Sequence, residues 1–237
     1  MNIELLAPAG NLDCLKTAVK SGADAIYLGM NDFNARGNIT NFSQNDLYEG
    51  VRFAHLFGVK VYLTINTLIR DDEIPSLLDF VRFALSVKVD AFIVQDYGVI
   101  SVLKQVYPDI VLHGSTQLGV HNVRGARMAK AMGLSRVVLS REVTLEDIRE
   151  IRENVDIELE VFVQGAMCVC FSGNCYLSSL KFGASGNRGL CKQLCRLGYT
   201  LADSKTKASG YMLSPSDNCM LDYLQELYDA GDRKSVV

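Results

Sequence analysis

Seven short apolar runs, each of strand length and nearly all separated by a helical pattern, constrain this chain more than any other feature. They are "IELLAP" (3–8), "DAIYLG" (24–29), "KVYLTIN" (60–66), "DAFIVQD" (90–96), "IVLHGST" (110–116), "RVVLS" (136–140) and "IELEVFVQG" (157–165). Helical patterns over 11–22, 44–57, 72–87, 97–106, 120–132 and 144–153 fill the intervals. Parallel strands cannot be joined by tight turns, so an alternation of this kind builds a parallel α/β sheet. "SGADAIYLG" and "SVKVDAFIVQD" both pass from a helix end through a small residue and Asp-Ala into an apolar strand. That recurrence points to a (β/α)8, TIM-barrel-like fold rather than an open doubly wound sheet. A dinucleotide-binding domain is disfavoured because no glycine-rich phosphate loop follows the first strand.

The barrel reads as lacking its last strand. After the seventh run come a strand-like "GYMLSP" (210–215) and a helix at about 217–230, and then only the polar "DAGDRKSVV". On this reading residues 1–165 carry strands one to seven, 166–209 form a cysteine-rich insertion after strand seven, and 210–237 are a final helix region, truncated before closure. At 237 residues, 49% hydrophobic and 22% charged, the chain has ample core for one large α/β domain.

No basic region followed by an apolar one marks the start as a signal peptide, and no apolar run is long enough to span a membrane. A cytoplasmic protein with reduced thiols is therefore expected. The net charge of −3 gives no global nucleic-acid signal. Locally, Lys181, Arg188, Lys192, Arg196, Lys205 and Lys207 face a single acid, Asp203. That stretch reads either as a solvated loop or as an anion-facing surface for phosphate or RNA.

Alternation along the seventh strand puts Leu159, Val161 and Val163 on one face and Glu158, Glu160, Phe162 and Gln164 on the other. The apolar face suits the outer helices, which sends Glu160 toward the barrel interior or mouth. A carboxylate there needs a partner, so Glu160 is a structural ion-pair member or a catalytic group. Other strand ends carry Asn66, Asp96, His113, Ser115, Thr116, Gln117, Arg141 and Glu142. In such barrels the carboxyl ends of the strands form the active-site face. His113 reads as a general base, an anion contact, a ligand or a satisfied structural histidine.

Five of the seven cysteines crowd the later part of the chain at Cys168, Cys170, Cys175, Cys191 and Cys195, with Cys219 further on. No CxxC knuckle occurs, which argues against a zinc ribbon. An iron–sulfur cluster, a zinc site and unligated thiols all remain open on spacing alone, as does a cysteine nucleophile partnered by His113. There is no HExxH zinc-protease motif and no GxSxG elbow.

"EVFVQGAMCVCFSGNCYLSS" (160–179) resembles the signature of peptidase family U32, the collagenase-like peptidases. The match runs through Glu160, Phe162, Gly165, Ala166, Met167, Cys168, Gly173, Cys175, Leu177 and Ser178. "ELLAPAG" (4–10), "GADAIYLG" (22–29), "HGSTQ" (113–117), "LSRE" (139–142), "NRGLCKQLCR" (187–196) and "SDNCMLD" (216–222) are similar to the same family, so the resemblance covers the chain to about Gly231.

The family name implies proteolysis of unassigned mechanism. Its better-understood members imply hydroxylation of a tRNA wobble uridine, an rRNA cytidine or ubiquinone. The resemblance further implies a [4Fe-4S] cluster on Cys168, Cys175, Cys191 and Cys219, with Cys195 in reserve, Cys170 a bystander and zinc the weaker alternative. Glu160, His113 and Arg141 are then the catalytic candidates, and Asn66, Asp96, Gln117, Glu142 and Arg188 the substrate contacts. RNA is the expected partner, with a peptide substrate, or a role as a cluster-carrying subunit beside a partner protein, as alternatives. Gln164 stands where members commonly have His, and the family's closing strand has no match after Gly231.

Overall fold

A computed structural model describes residues 3–35, 41–172, 174–202 and 207–237; Gly173, Asp203 and Lys205 lie outside them. Strand and helix alternate as the pattern predicts: β1 (Glu4–Ala9), α1 (Leu12–Lys20), β2 (Ala25–Leu28), α2 (Gln44–Leu56), β3 (Lys60–Ile65), α3 (Ile74–Ser86), β4 (Ala91–Val94) and α4 (Tyr97–Val106). The run continues with β5 (Leu112–Gly114), α5 (Val123–Ala131), β6 (Arg136–Val138), α6 (Leu145–Asn154) and β7 (Glu158–Phe162). The helices are amphipathic: α2 buries Leu47, Gly50, Val51 and Ala54, one stripe at helical spacing. Ser43 with Asp46, and Thr144 with Asp147, form capping boxes that fix where α2 and α6 begin.

Between β7 and the end of the chain the path leaves the barrel and returns. It passes through β8 (Gln164–Gly165), α7 (Leu177–Phe182), β9 (Tyr199–Ala202), β10 (Lys207–Gly210), β11 (Asn218–Cys219) and α8 (Leu224–Ala230), then enters β12 (Lys234–Val236). β9 and β10 form an antiparallel hairpin, and β11 pairs antiparallel with β8. The stretch 211–215, expected to be strand-like, lies beyond the end of β10 and outside any strand.

The expected open barrel is corrected here. β12 pairs parallel with β7 on one side and β1 on the other, closing the order β1-β12-β7-β6-β5-β4-β3-β2. Closure needs only three residues, and two of them are polar, which is why no strand was legible. Their polar groups are satisfied inside the protein: Lys234 Nζ donates to Glu4 at 2.9 Å, and Ser235 Oγ to Asp232 at 2.9 Å.

Most of the core lies between the strands and the helices, where Leu159 and Val163 sit as the alternation predicts. The barrel interior holds a smaller apolar cluster of Leu6, Ala25, Tyr62, Ala91, Ile93 and Val236, with Tyr27 and Phe162 packed on it. It is small because charged side chains occupy the rest.

Candidate active site at the barrel mouth

Glu4, Lys60, Arg136, Glu158 and Lys234 each open their strand, so these charges meet at the amino-terminal end of the barrel. Arg136, 3% exposed, is their centre: its guanidinium lies 3.0 Å from Glu4, 3.1 Å from Glu160 and 2.9 Å from Glu158. It also covers the Tyr62 ring at 5.2 Å. Burial opposes ionisation of Glu4, but Lys234, Arg136 and Tyr62 overcome it and hold the carboxyl at about 2. Glu160 goes the other way. Burial dominates, Arg136 only partly offsets it because it is shared among three carboxylates, and the carboxyl is pushed up to about 7.

Above this layer the carboxyl ends of the strands enclose a cavity of ≈ 270 Å³. Leu6, Ile93, Val138 and Val236 close it below, and Glu160 reaches its wall from the charged layer. Asn66, Thr64, Ser115, Thr116, Gln117 and Arg141 supply polar groups to the walls. Most are already engaged. Asn66 Oδ1 accepts from Ala35 N–H at 3.0 Å, Thr64 Oγ1 donates to Leu28 O at 3.0 Å, and Thr116 Oγ1 donates to Leu139 O at 3.2 Å. Arg141 differs. Its guanidinium stacks on the Phe162 ring at 4.4 Å and has no ion-pair partner among the described residues.

The sequence-predicted residues therefore separate. Glu160, Arg141, Asn66 and Gln117 share the cavity. His113 does not line it; it is 4% exposed, edge-on to Tyr62 at 4.8 Å, with Nδ1 unpartnered. Burial, reinforced by Arg136, holds its imidazole neutral, well below the ordinary histidine range. Asp96 caps α4 by accepting from Gly98 and Val99 N–H, and also accepts from Ile69 N–H at 3.0 Å. Glu142 accepts from Ser172 N–H at 2.9 Å, and Arg188 grips Glu73 at 2.7 Å and Leu68 O at 2.8 Å.

These last two residues bind the cysteine segment to the barrel. Arg196 instead ties the segment to the chain just beyond it, donating to Met167 O, Ser214 Oγ and Pro215 O. Two of the arginines in the basic stretch are thus internal clamps, while Lys181 and Lys192 stay exposed. Sequence reasoning missed Arg136, Lys234, Tyr62 and Tyr27; a charge leading an apolar run was the available signal for the first two.

All seven cysteines are free thiols. Cys170 lies against Cys175 and near Cys168, and burial together with the hydrogen bond to Cys175 pushes it up to about 12. Burial also raises Cys195, which lies beside Arg196, Cys168 and Cys191. Cys219 reaches the segment through its strand pairing with the exposed Gln164. Thiol donors of this number suit iron or zinc in kind. They are not gathered into ligand geometry: among the described residues no three His, Cys, Asp or Glu side chains converge as a metal site.

Residues 10–235 match the model of peptidase family U32. The chain is 41% identical over 97% of its length to an uncharacterized protease of Methanocaldococcus jannaschii and 41% identical over 98% to the 23S rRNA 5-hydroxycytidine synthase of Escherichia coli. It is 37% identical over 96% of its length to a tRNA hydroxylation protein of Bacillus subtilis. These matches take in 59%, 35% and 56% of the three proteins, so the chain spans well under two thirds of their lengths. A solved U32 peptidase structure superposes with a TM-score of 0.60 at 20% identity, over 70% of each chain, a likeness of fold. Matched from residue 10 to residue 235, and built on the barrel that the solved structure shares, the chain belongs to peptidase family U32.

Proposed function

We propose that this chain is the catalytic barrel of an enzyme that hydroxylates a base in tRNA or rRNA. The observation that carries the reading is the cavity: ≈ 270 Å³, closed below, walled by neutral hydrogen-bonding groups and holding one unpaired guanidinium. Such a cavity takes one planar group entering end-on. A base reaches it once extruded from its stack, as enzymes acting on bases require. Two of the relatives described above are named for RNA hydroxylation, which supports the same substrate class.

Within the cavity Glu160, poised near neutral pH, is the group that gives or takes a proton. Arg141, fixed by Phe162, offers its N–H groups to charge developing on the base. Asn66 and Gln117 orient the ring, while Asp96, Glu142 and Arg188 hold the walls and the cysteine segment in place. His113 belongs to the floor beneath, where it packs on Tyr62. Cys168, Cys175, Cys191 and Cys219, with Cys195 in reserve, are the proposed thiolate ligands of a [4Fe-4S] cluster, which would supply electron transfer. Zinc is the weaker occupant.

Proteolysis is less well served. An extended peptide would have to cross the rim rather than enter the cavity, and His113, 4% exposed and packed on Tyr62, is not set on the rim where a nucleophile's base would act. No helix is long and apolar enough to cross a membrane among the described residues, and an RNA substrate fits action in the cytoplasm.

Anaerobic purification with iron and sulfide assays, followed by nucleoside mass spectrometry of treated RNA, tests the reading. We expect about four irons per chain, the load of one cubane, retained in Cys14→Ser and lost in Cys175→Ser, together with a hydroxylated nucleoside. A chain that takes up no iron, leaves RNA unchanged and cleaves peptides overturns it.

A further inference from the structure

The cysteine segment carries charge of one sign. From Ala166 to Ala202 it contains Lys181, Arg188, Lys192 and Arg196 and no Asp or Glu. Arg188 is neutralised by Glu73 from the barrel, and Arg196 is taken up by carbonyl and hydroxyl oxygens. Lys181 and Lys192 are exposed and form no ion pair among the described residues.

The same segment turns apolar side chains to solvent. α7 inverts the usual arrangement of a surface helix: Ser178 is its buried residue, while Leu180 and Phe182 are 86% and 57% exposed. Tyr176, just before it, is 60% exposed, and Phe171 is 50% exposed, edge-on to His121 at 5.7 Å. The Lys192 N–H donates to Ser178 Oγ at 3.0 Å, which pins the second lysine against α7. Exposed apolar groups clustered in this way mark a binding surface.

Two anchors set its place. At the end of β6 the Arg141 N–H donates to Ser172 Oγ at 3.3 Å. Beyond the ends of β3 and β4, Asn187 O accepts from Leu68 N–H at 3.0 Å and from Gln95 Nε2 at 3.3 Å. α7 begins five residues after the first anchor and ends five before the second, beside the rim that a base must cross to enter the cavity. Lysine is depleted from the cores of protein–protein interfaces. Rings interleaved with lysines instead suit a single strand of nucleic acid, whose bases stack on the rings while its phosphates meet the cations.

We propose that α7 and its flanks hold the RNA strand beside the target base: Tyr176 and Phe182 stack the flanking bases, and Lys181 and Lys192 meet their phosphates. This rests on the RNA reading above and adds to it where the strand runs outside the cavity.

The test is equilibrium binding of the whole protein, prepared anaerobically, to a short single-stranded RNA with one central pyrimidine. Phe182→Ala should weaken binding about 5- to 150-fold, the worth of one stacked base, and Phe182→Tyr should bind as wild type does. On an RNA whose flanking positions are abasic, the wild type and Phe182→Ala should bind alike. Replacing Lys181 and Lys192 together by Ala should reduce the magnitude of the slope of log affinity against log salt by about 1.4, the share of two phosphates on a single strand. Phe182 and Lys181 stand apart from the cysteines in sequence, so iron content and unfolding midpoint should keep their wild-type values in these variants.

Wild-type affinity and salt slope in all of these variants, in a protein that hydroxylates RNA, overturns the proposal and leaves the RNA reading standing. So does a wild type that self-associates in sedimentation where Phe182→Ala does not, with equal RNA affinity in both, which gives the surface to a protein. A wild type that binds no RNA and modifies none overturns the RNA reading itself.

Discussion

Arg136 Nη1 donates to Glu160 at 3.1 Å, and the two side chains are 3% and 2% exposed. The pair joins the first residue of β6 to the middle of β7 through the barrel interior, and Glu4 of β1 shares the same Nη1 at 3.0 Å. Arg136 therefore holds together strands that the closing strand separates in the sheet order. Its loss leaves two carboxylates buried beside each other. Removing one member of a buried pair costs about 3–5 kcal/mol, so Arg136→Met should lower the urea midpoint sharply. Glu158→Gln, at a partner 51% exposed, should cost less than about 1 kcal/mol. Equal midpoints for the two variants would show that the buried layer contributes nothing to stability.

The two interior glutamates respond oppositely to pH. Glu160 is raised from 4.5 to about 7, so its stabilising contribution is complete below 4.5 and is lost as pH rises through about 7. Glu4 is lowered from 4.5 to about 2, so its contribution is complete above 4.5 and is lost as pH falls through about 2. Asp232, raised by burial from 3.8 to about 6, acts in the same direction as Glu160 at lower pH. Above pH 6 the decline in unfolding free energy should accordingly belong to Glu160. Glu160→Gln should flatten it there and remove an inflection near pH 7 from kcat/KM. A decline of unchanged slope in the variant would assign the titration to another group.

Arg188 ties the cysteine segment to the chain following β3 with a two-pronged bond to Glu73, at 2.7 and 3.0 Å, and a third contact to Leu68 O. Arg188 and Glu73 are 35% and 21% exposed, so the pair is worth about 1 kcal/mol or less in global stability. Its larger effect is local. Arg188→Ala should leave the unfolding midpoint nearly unchanged while speeding proteolytic nicking within 166–209 severalfold. Nicking at the wild-type rate would mean that the Glu142–Ser172 and Arg196 contacts suffice to hold the segment.

Strand alternation was legible because eight parallel strands need helical returns, and that period survives in the sequence. The inward turn of Glu160 was legible for a similar reason, since side chains in a strand alternate. Its partner was not: an arginine at the head of "RVVLS" looks like a solvated strand end, and only barrel closure puts it 3.0 Å from Glu4, 132 residues away in sequence. Asp96 sits at a strand end and so read as a substrate contact, whereas the first turn of α4 takes its carboxylate as a cap. Cysteine spacing gave the neighbourhood of the thiols but carries no information on convergence, which depends on loops folded across tens of residues.

Barrel closure itself depends on Gly231. Its φ of +118° ends α8, and its N–H donates to Leu227 O and Tyr228 O at 3.1 Å. The turn aims the chain so that buried Asp232 accepts from Lys234 N–H and Ser235 Oγ, which fixes the start of β12. A Cβ at Gly231 would lie 2.6 Å from Arg152 Cγ and 2.9 Å from Arg152 Cβ, in a backbone region that side chains rarely adopt. Gly231→Ala should cost about 1–3 kcal/mol from backbone strain, with the Arg152 contact adding to it. Gly198→Ala, where a Cβ meets nothing within 4 Å, should stay within about 0.5 kcal/mol of wild type. The loss should appear first in hydrogen exchange at Val163 and Val237, whose N–H groups bond to Val236 O and Leu6 O across the closing strand. Wild-type protection of those two amides in Gly231→Ala would mean that β12 docks without the turn and that strand pairing alone closes the barrel.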